Sequence, residues 1–158
     1  GRGNVVMMRS MSALPELPST LAKSPHFQVE RVRRHTKDEV ERTLAKHTST
    51  MREYWILTCV DGEPMSQRQL SELLGIDASD MVRLVDSLES HGWVTRDRDP
   101  KDRRRQIVTP TKKGSKAQAL LASEVAAAED RALDVSTTKQ LKSLKVKVLK
   151  IEKTSWEE

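Results

Sequence analysis

The residues with the clearest potential for chemistry form a basic run in the middle of the chain, from Arg96 to Arg105. Extended to Lys116, this segment holds nine Lys or Arg and three Asp, a net charge of +6, against +5 for the whole chain of 158 residues. Lys and Arg bind phosphates irrespective of base sequence, so the run predicts a surface that binds a polyanion. Nucleic acid, a membrane or an acidic protein would each fit, and a solvated loop is the alternative without a function.

Two short helices are predicted directly before the basic run. Ser66 and Gln69 form a capping box at the start of the first helix, and Gly75 supplies the left-handed residue that ends it. Asp77 caps the second helix. Apolar residues at helical spacing line its core face before Gly92: Met81, Leu84, Val85 and Leu88. Two helices joined by so short a turn are typical of a helix-turn-helix, although an ordinary helical hairpin has the same local pattern.

Segments with strand composition flank the basic run, at 93–96 and 106–109. The polar stretch between them is too charged to be part of a core. We therefore expect a hairpin with a long solvated loop, which we call the wing.

Two further helices are predicted before the helix pair. Ser24 and Pro25 begin a polar helix that reaches about Lys46. Thr50 and Glu53 form a capping box for the next helix, which has apolar residues nearly all round. That pattern places this helix at the centre of the core.

Two more helices are predicted after the wing. Thr111 begins an Ala-rich helix that reaches about Ala132, and Thr137 and Gln140 form a capping box for the last helix. The last helix has a coiled-coil-like seam of apolar residues at 3, 4, 3 spacing: Leu141, Leu144, Val148 and Ile151. Because a seam of two heptads is too short to be stable alone, we expect it to pack on its own chain or on a second subunit.

Reactive residues are scarce, which argues against several classes of function. A single cysteine, Cys59, cannot form an intrachain disulfide, and its place in the most apolar helix indicates packing rather than redox chemistry. The histidines are His26, His35, His47 and His91. They lack the i, i+4 spacing of a helical zinc site, and no phosphate-binding glycine loop or nucleophile elbow occurs. We expect no catalytic residues, no metal and no cofactor.

The chain has no apolar run of the 18 or more residues that a membrane span needs, and the run at 5–8 is too short for a signal peptide. With one thiol a reducing compartment is expected, so we predict a cytoplasmic protein without a membrane partner. Residues 1–23 contain two prolines and no periodicity, which predicts a flexible arm. We expect the Gly1 to Gly3 segment to be a cloning remnant.

The order of these elements, together with two motifs, resembles the MarR family of bacterial winged-helix regulators over roughly residues 25–155. The first motif is Asp-Pro-x-Asp-x-Arg, here Asp99, Pro100, Asp102 and Arg104. The second is Thr-x-x-Gly, here Thr111 and Gly114. The resemblance implies a mainly α fold with a small β-wing, in which a winged helix-turn-helix domain is joined to N- and C-terminal dimerisation helices. It also implies a homodimer that binds a pseudo-palindromic operator in double-stranded DNA.

The resemblance suggests a division of the chain into four parts. After the arm at 1–23 come an N-terminal dimerisation helix at 24–48, a winged helix-turn-helix DNA-binding domain at 49–112 and C-terminal dimerisation helices at 113–158. Two departures from the family pattern stand out. Pro110 replaces the usual Leu, and Asp80 and Val82 lie where small hydroxyl residues are common. The DNA sequence preference of the family therefore cannot be transferred to this chain.

If the second helix of the pair enters the major groove, the residues opposite its core face are directed at the bases. Arg83 is the strongest candidate, because a bidentate contact from Arg to guanine discriminates by about 1–3 kcal/mol. Ser79 would donate to a phosphate, and Val82 would contact a thymine methyl. Asp80 would cap the helix or read a cytosine amino group, and Asp86 lies on the same face. A solvated charge is the alternative for Arg83.

In the wing, the matching family positions imply that Arg104 enters the minor groove and that Asp102 orients it. A narrow groove concentrates negative potential, and a nearby carboxylate fixes the guanidinium. The other basic residues would add phosphate contacts: Arg98, Lys101, Arg103, Arg105 and Lys112. A solvated hairpin tip is the alternative.

The sequence is compatible with three functions. The leading hypothesis is a dimeric transcriptional regulator, expected to be a repressor, that a small aromatic or phenolic ligand releases from DNA. Four residues could line the ligand pocket and fit the core equally well: His35, Met51, Tyr54 and Trp55. The second hypothesis is a winged-helix protein-interaction module with non-specific DNA affinity. The third, an enzyme acting on nucleic acid, lacks the clustered carboxylates of a two-metal site.

Overall fold

The computed structural model of the protein describes residues 14–144, which belong to two compact units. The first unit ends at His35 and holds α1 (Ser19–Ala22) and the beginning of α2 (Pro25–Ala45). The predicted helix start at Pro25 is confirmed. The short helix α1 lies in the segment for which the sequence predicts no regular structure, and residues 1–13 are outside the described range.

The second unit begins at Thr36 and contains the end of α2 and the elements that follow it. In chain order these are α3 (Met51–Gly62), β1 (Met65–Ser66), α4 (Gln67–Leu74), α5 (Ala78–Ser90), β2 (Val94–Arg98), β3 (Gln106–Pro110), α6 (Lys112–Ala132) and α7, described over 135–144. The predicted fold class, mainly α with a small β-wing, is confirmed.

The core of the second unit surrounds α3, whose Ile56, Leu57 and Val60 are fully buried. This helix packs against α5, α6 and β3. Other fully buried side chains come from every neighbouring element: Leu44, Leu70, Met81, Val85, Leu88, Val108 and Leu121. Burial of one such side chain is worth about 1.5–3 kcal/mol, so this cluster holds the helices in fixed positions. The predicted central place of α3 is confirmed.

A buried carboxylate joins α3 to α5. The Thr50 hydroxyl accepts a hydrogen bond from the backbone N–H of Glu53 at 3.2 Å, which is half of the predicted capping box. The Glu53 side chain does not close the box. It is buried and accepts a hydrogen bond from the Ser87 hydroxyl of α5 at 2.9 Å. Because an unpaired buried carboxylate is costly, this bond fixes α5 against the core.

The three strands form one antiparallel sheet in the order β1, β3, β2. Strands β2 and β3 confirm the predicted hairpin, and Val94 pairs with Pro110 at its base. The strand β1 was not predicted, because two residues are too short for any periodic pattern. Its second residue, Ser66, also caps α4 through the complete capping box that the sequence predicts with Gln69.

The Thr-x-x-Gly motif joins the wing to α6. The Thr111 hydroxyl accepts from the backbone N–H of Gly114 at 2.9 Å and donates to the carbonyl of Gly92 at 2.6 Å. A Cβ atom on Gly114 would lie only 1.9 Å from the carbonyl oxygen of Trp93. Only glycine therefore allows α6 to begin this close to the end of α5 and the start of the wing.

Two predicted helix caps differ in the structure. The helix α7 is already formed at residue 135, and the Asp134 carboxylate accepts from the backbone N–H of Thr137 at 2.6 Å. Thr137 is thus the third residue of this helix, and the prediction that it begins the helix is wrong. Asp77 stands at the N-cap of α5 as predicted, but its side chain makes no capping hydrogen bond.

Candidate nucleic-acid interface

The helix α5 buries one face and exposes the other, as the sequence predicts. Met81, Val85 and Leu88 face the core. On the opposite side the Arg83 side chain is 76% exposed and Val82 is 41% exposed. These two residues can therefore reach a ligand that approaches the exposed face of the helix.

The first turn of α5 is organised by two carboxylates. The Ser79 hydroxyl donates to Asp77 Oδ2 at 2.6 Å. The Asp80 carboxylate forms an ion pair with Arg83, and its second oxygen lies 3.8 Å from Nη1 of Arg52 on α3. Asp80 thus holds the guanidinium of the candidate base-reading residue, while no hydrogen bond from its side chain to the helix N-terminus is seen. Its proposed capping role is not supported by this geometry.

The two aspartates of the Asp-Pro-x-Asp-x-Arg motif build the tip of the wing. The Asp99 carboxylate accepts from the backbone N–H of Lys101 at 2.9 Å, and the Asp102 carboxylate accepts from the backbone N–H of Arg104 at 3.1 Å. Backbone bonds between Asp99 and Arg105 close the loop. Aspartate suits both positions because its short carboxylate reaches the backbone two residues on.

Asp102 also orients the side chain of Arg104. The Nε atom of Arg104 lies 3.1 Å from Asp102 Oδ1, while the Arg104 side chain is 91% exposed. Hydrogen bonds from the side chain and backbone of Arg104 hold the pKa of Asp102 below its ordinary value. The carboxylate therefore stays ionised and keeps an otherwise free guanidinium pointed away from the core.

The remaining wing cations are placed at the surface around this pair. Arg105 lies 3.6 Å from the carboxylate of Asp99, and Arg98 donates to the backbone carbonyl of Arg103 at 3.4 Å. Lys101 and Arg103 are exposed. Such charges suit contact with a polyanion, and the individual phosphate contacts stay predictions.

A groove of about 790 Å³ brings the two candidate elements together. Val82 of α5 lines it, and so do Asp102, Arg104 and Arg105 of the wing. The floor comes from α4 and its cap. A molecule in this groove would contact the exposed helix face and the oriented arginine of the wing at the same time.

Arg96 is a central residue that the sequence analysis did not single out. It is on β2, its side chain is 19% exposed, and its guanidinium pairs with Asp86 and with Glu89 of α5, the latter at 2.8 Å. Its other nitrogen donates to Gln67 Oε1 at 2.9 Å. Burial lowers the pKa of Arg96, but the two carboxylates raise it by more. Two spacings in the sequence indicate these positions. Arg96 lies two residues after the core residue Val94, on the same side of its strand, and Asp86 and Glu89 lie three apart, on one face of their helix.

The predicted ligand-pocket residues are brought together only in part. Tyr54 and Trp55 line a hollow of about 370 Å³, together with Thr58, Cys59, Leu73 and Leu74. Met51 packs against the core instead, and His35 is exposed in the first unit. Burial raises the pKa of the Cys59 thiol, which favours the unreactive protonated form.

The predicted dimerisation seam is described only at its start. Leu141 is half-buried and Leu144 is exposed, whereas Val148 and Ile151 lie outside the described residues. Over 14–144, no three His, Cys, Asp or Glu side chains form a group that could hold a metal ion. None of the helices within that range is long and apolar enough to cross a membrane.

Comparison with known proteins connects this geometry to a family. The sequence profile of the MarR family matches residues 48–105, from the loop before α3 to the tip of the wing. The uncharacterized HTH-type transcriptional regulator YcgE of Bacillus subtilis strain 168 is 40% identical over 47 residues. That match covers 30% of this chain and 30% of the length of YcgE.

Two solved structures share the fold over most of the chain. CouR from Rhodococcus jostii RHA1, bound to p-coumaroyl-CoA, is 28% identical with a TM-score of 0.67, over 78% of this chain and 90% of its own. The transcriptional repressor CouR bound to a 23-mer DNA duplex is 24% identical with a TM-score of 0.76, over 88% of this chain and 99% of its own. The second likeness shows the fold alone. Together with the profile and the curated relative, these structures show that the chain is similar to MarR-family transcriptional regulators, with the sequence likeness concentrated in residues 48–105.

Proposed function

We propose that the protein binds a specific sequence in double-stranded DNA as a homodimer and represses transcription from it in the cytoplasm. The observation that supports this most strongly is the shared groove between α5 and the wing. Val82 of the helix and an Arg104 held by Asp102 line this groove, and the exposed Arg83 is the neighbour of Val82 on the same helix. A helix in the major groove and an arginine in the adjacent minor groove would use both features at once.

In this proposal, the exposed face of α5 contacts the bases. Arg83 can give two hydrogen bonds to guanine, and Val82 offers an apolar contact for a thymine methyl. Arg83 is paired with Asp80 in the free protein, so binding exchanges that ion pair for a contact to a base. The exchange favours DNA only where a guanine completes the bidentate contact, which is a source of specificity.

A homodimer is supported by apolar surface that a single chain leaves uncovered. In the C-terminal part, Leu120, Val135 and Leu144 are exposed. Two copies related by a two-fold axis would present two α5 helices to half-sites about one helical turn apart. Truncation after Ala132 should give a monomer or an insoluble chain in sedimentation experiments. A stable dimer of the truncated chain would refute the proposed role of α7 and the residues that follow it.

We assign effector binding to the hollow beside Tyr54 and Trp55. Its volume of about 370 Å³ suits a small aromatic molecule, and two aromatic side chains line it. The CouR structure with p-coumaroyl-CoA supports an aromatic ligand in a protein of this fold. Release from DNA requires that the ligand bind better to a form with a different spacing of the two α5 helices. Saturating p-coumaric acid should weaken operator binding, and Trp55→Ala should abolish that response while operator affinity without ligand is retained.

Selection from random duplexes tests the main proposal. We expect the full chain to enrich an inverted repeat with half-sites about one turn apart. Binding without enrichment would instead favour the second candidate, a protein-interaction module whose basic wing meets an acidic surface. The exposed cations of the wing are the observation that keeps this candidate open.

A further inference from the structure

Arg96 connects the base-reading helix to the wing through side chains alone. It reaches from β2 to two carboxylates of α5 and to the first residue of α4, Gln67. Its side chain is 19% exposed, against 40% for Arg105 and 91% for Arg104. A cation so enclosed is poorly placed to contact phosphate.

The position of Arg96 on its strand explains why its side chain faces α5. Val94 is in the core, and residues two apart on a strand point to the same side of the sheet, so Arg96 faces α5. Asp86 and Glu89 lie one helical turn apart on α5, and both accept hydrogen bonds from the same guanidinium nitrogen of Arg96. A planar guanidinium with several donors can satisfy both acids and Gln67 together, which the single ammonium of lysine cannot do with the same geometry.

We infer that Arg96 is a positioning residue that fixes the angle between α5 and the wing, so that Arg83 and Arg104 engage one DNA site together. This inference rests on the proposed function. Asp86, which the sequence suggests as a base-reading residue, is then a partner of Arg96. Glu89 shares that role, and Gln67 holds the guanidinium in plane.

A double-mutant cycle on operator affinity tests the inference. The four proteins are the wild type, Arg104→Ala, Arg96→Met and the double variant, all with the full chain and at one salt concentration. We expect Arg104→Ala to weaken binding about tenfold in the wild type and about twofold in the Arg96→Met background, since groups that act through shared structure are not additive. Arg42→Met is the control, because Arg42 is an exposed arginine of α2 outside the wing, and there the loss should stay near tenfold.

A purely structural role would lower thermal stability without changing this coupling, so the coupling is the decisive readout. If Arg96→Met does not fold, Arg96→Lys replaces it in the cycle, since lysine keeps the charge and loses the fork. Equal losses for Arg104→Ala in both backgrounds would overturn the inference while the proposed function stands. If the wild type enriches no sequence, the proposed function fails and the inference fails with it.

Asp86→Asn gives a second test, because the positioning role and simple repulsion of DNA by Asp86 predict opposite changes in affinity. If Asp86 only repels DNA, its neutralisation should tighten binding to every sequence. If it holds Arg96, neutralisation should weaken operator binding severalfold and reduce the coupling to Arg104. Tighter binding with unchanged coupling would contradict the positioning role, as would a change of base preference confined to one position.

Discussion

The helix α5 and the wing tip have opposite net charges. The helix α5 carries three acidic residues and one arginine, a net charge of −2, whereas the segment at 98–105 carries five basic residues and two aspartates, a net charge of +3. On the helix, Asp80 and Asp86 are each paired with an arginine. In the wing, Arg104 remains almost fully exposed beside Asp102.

In the proposed complex with DNA, this difference separates affinity from specificity. A helix with a net negative charge gains little from phosphates, so its contacts favour DNA only where Arg83 meets the right base. In the same complex, the wing would gain binding energy from phosphates at any sequence. We therefore expect substitutions on the helix to change which sequence is bound and substitutions in the wing to change how tightly all sequences are bound.

We expect the largest effect from a substitution at the junction of α6 with the base of the wing. Gly114→Ala places a Cβ atom 1.9 Å from the carbonyl oxygen of Trp93, so α6 must move away from the base of the wing. We expect a loss of about 3 kcal/mol or more in the free energy of unfolding, measured by urea denaturation. Gly62→Ala is the control, because nothing lies within 4 Å of its added Cβ atom. Equal stabilities of the two variants would show that the close approach at Gly114 is not required.

Arg83→Ala tests the helix side of the comparison. We expect the preference at one base position of each half-site to relax by about 1–3 kcal/mol, since the bidentate contact to guanine is lost. The measurement is binding to an operator and to its three single-base variants at that position. Arg42→Ala, which removes an exposed arginine of α2, is the control and should leave the preference unchanged. A uniform loss of affinity for all sequences in Arg83→Ala would assign Arg83 to phosphate.

Arg104→Ala tests the wing side. We expect binding to specific and random duplexes to weaken together, with the slope of log affinity against log salt reduced by about one unit. Titration of affinity against salt concentration measures both effects. A selective loss on the operator, with an unchanged salt slope, would mean that Arg104 reads sequence and would break the proposed separation.

The smallest expected effect concerns the pair of Asp102 and Arg104 in the free protein. Hydrogen bonds from Arg104 lower the pKa of Asp102 below the unfolded value of about 3.9. The stabilisation from this pair is therefore present above about pH 4 and is lost as the pH falls through the lower folded pKa. A carbon NMR titration should show Asp102 titrating below its usual range in the wild type and returning towards it in Arg104→Ala. An unchanged midpoint would mean that Arg104 does not hold this carboxylate.

The sequence predicts the helices and the hairpin because their signals are local. Ser66 with Gln69, Gly75 and the stripe from Met81 to Leu88 each depend on neighbours within a few residues. What the sequence did not predict depends on partners far apart in the chain. Arg96 meets Gln67 across 29 residues, and Glu53 meets Ser87 across 34, so no spacing rule pairs them.

Asp80 and Asp86 illustrate the same limit on one helix. Their exposed positions follow from the helical period, which is why both are candidates for base reading. The partner of Asp80 is Arg83, at i, i+3 spacing on the same helix, whereas the partner of Asp86 is Arg96, on the strand that packs beside α5. Exposure can be predicted from periodicity, but the use of an exposed carboxylate cannot.

Parallel selection from random duplexes with the wild type and Arg83→Ala tests the central claim most directly. We expect the wild type to enrich an inverted repeat and Arg83→Ala to enrich the same repeat with the information lost at one position in each half-site. Enrichment of no sequence by the wild type, or of an identical sequence by both proteins, would contradict base reading by Arg83 on this helix.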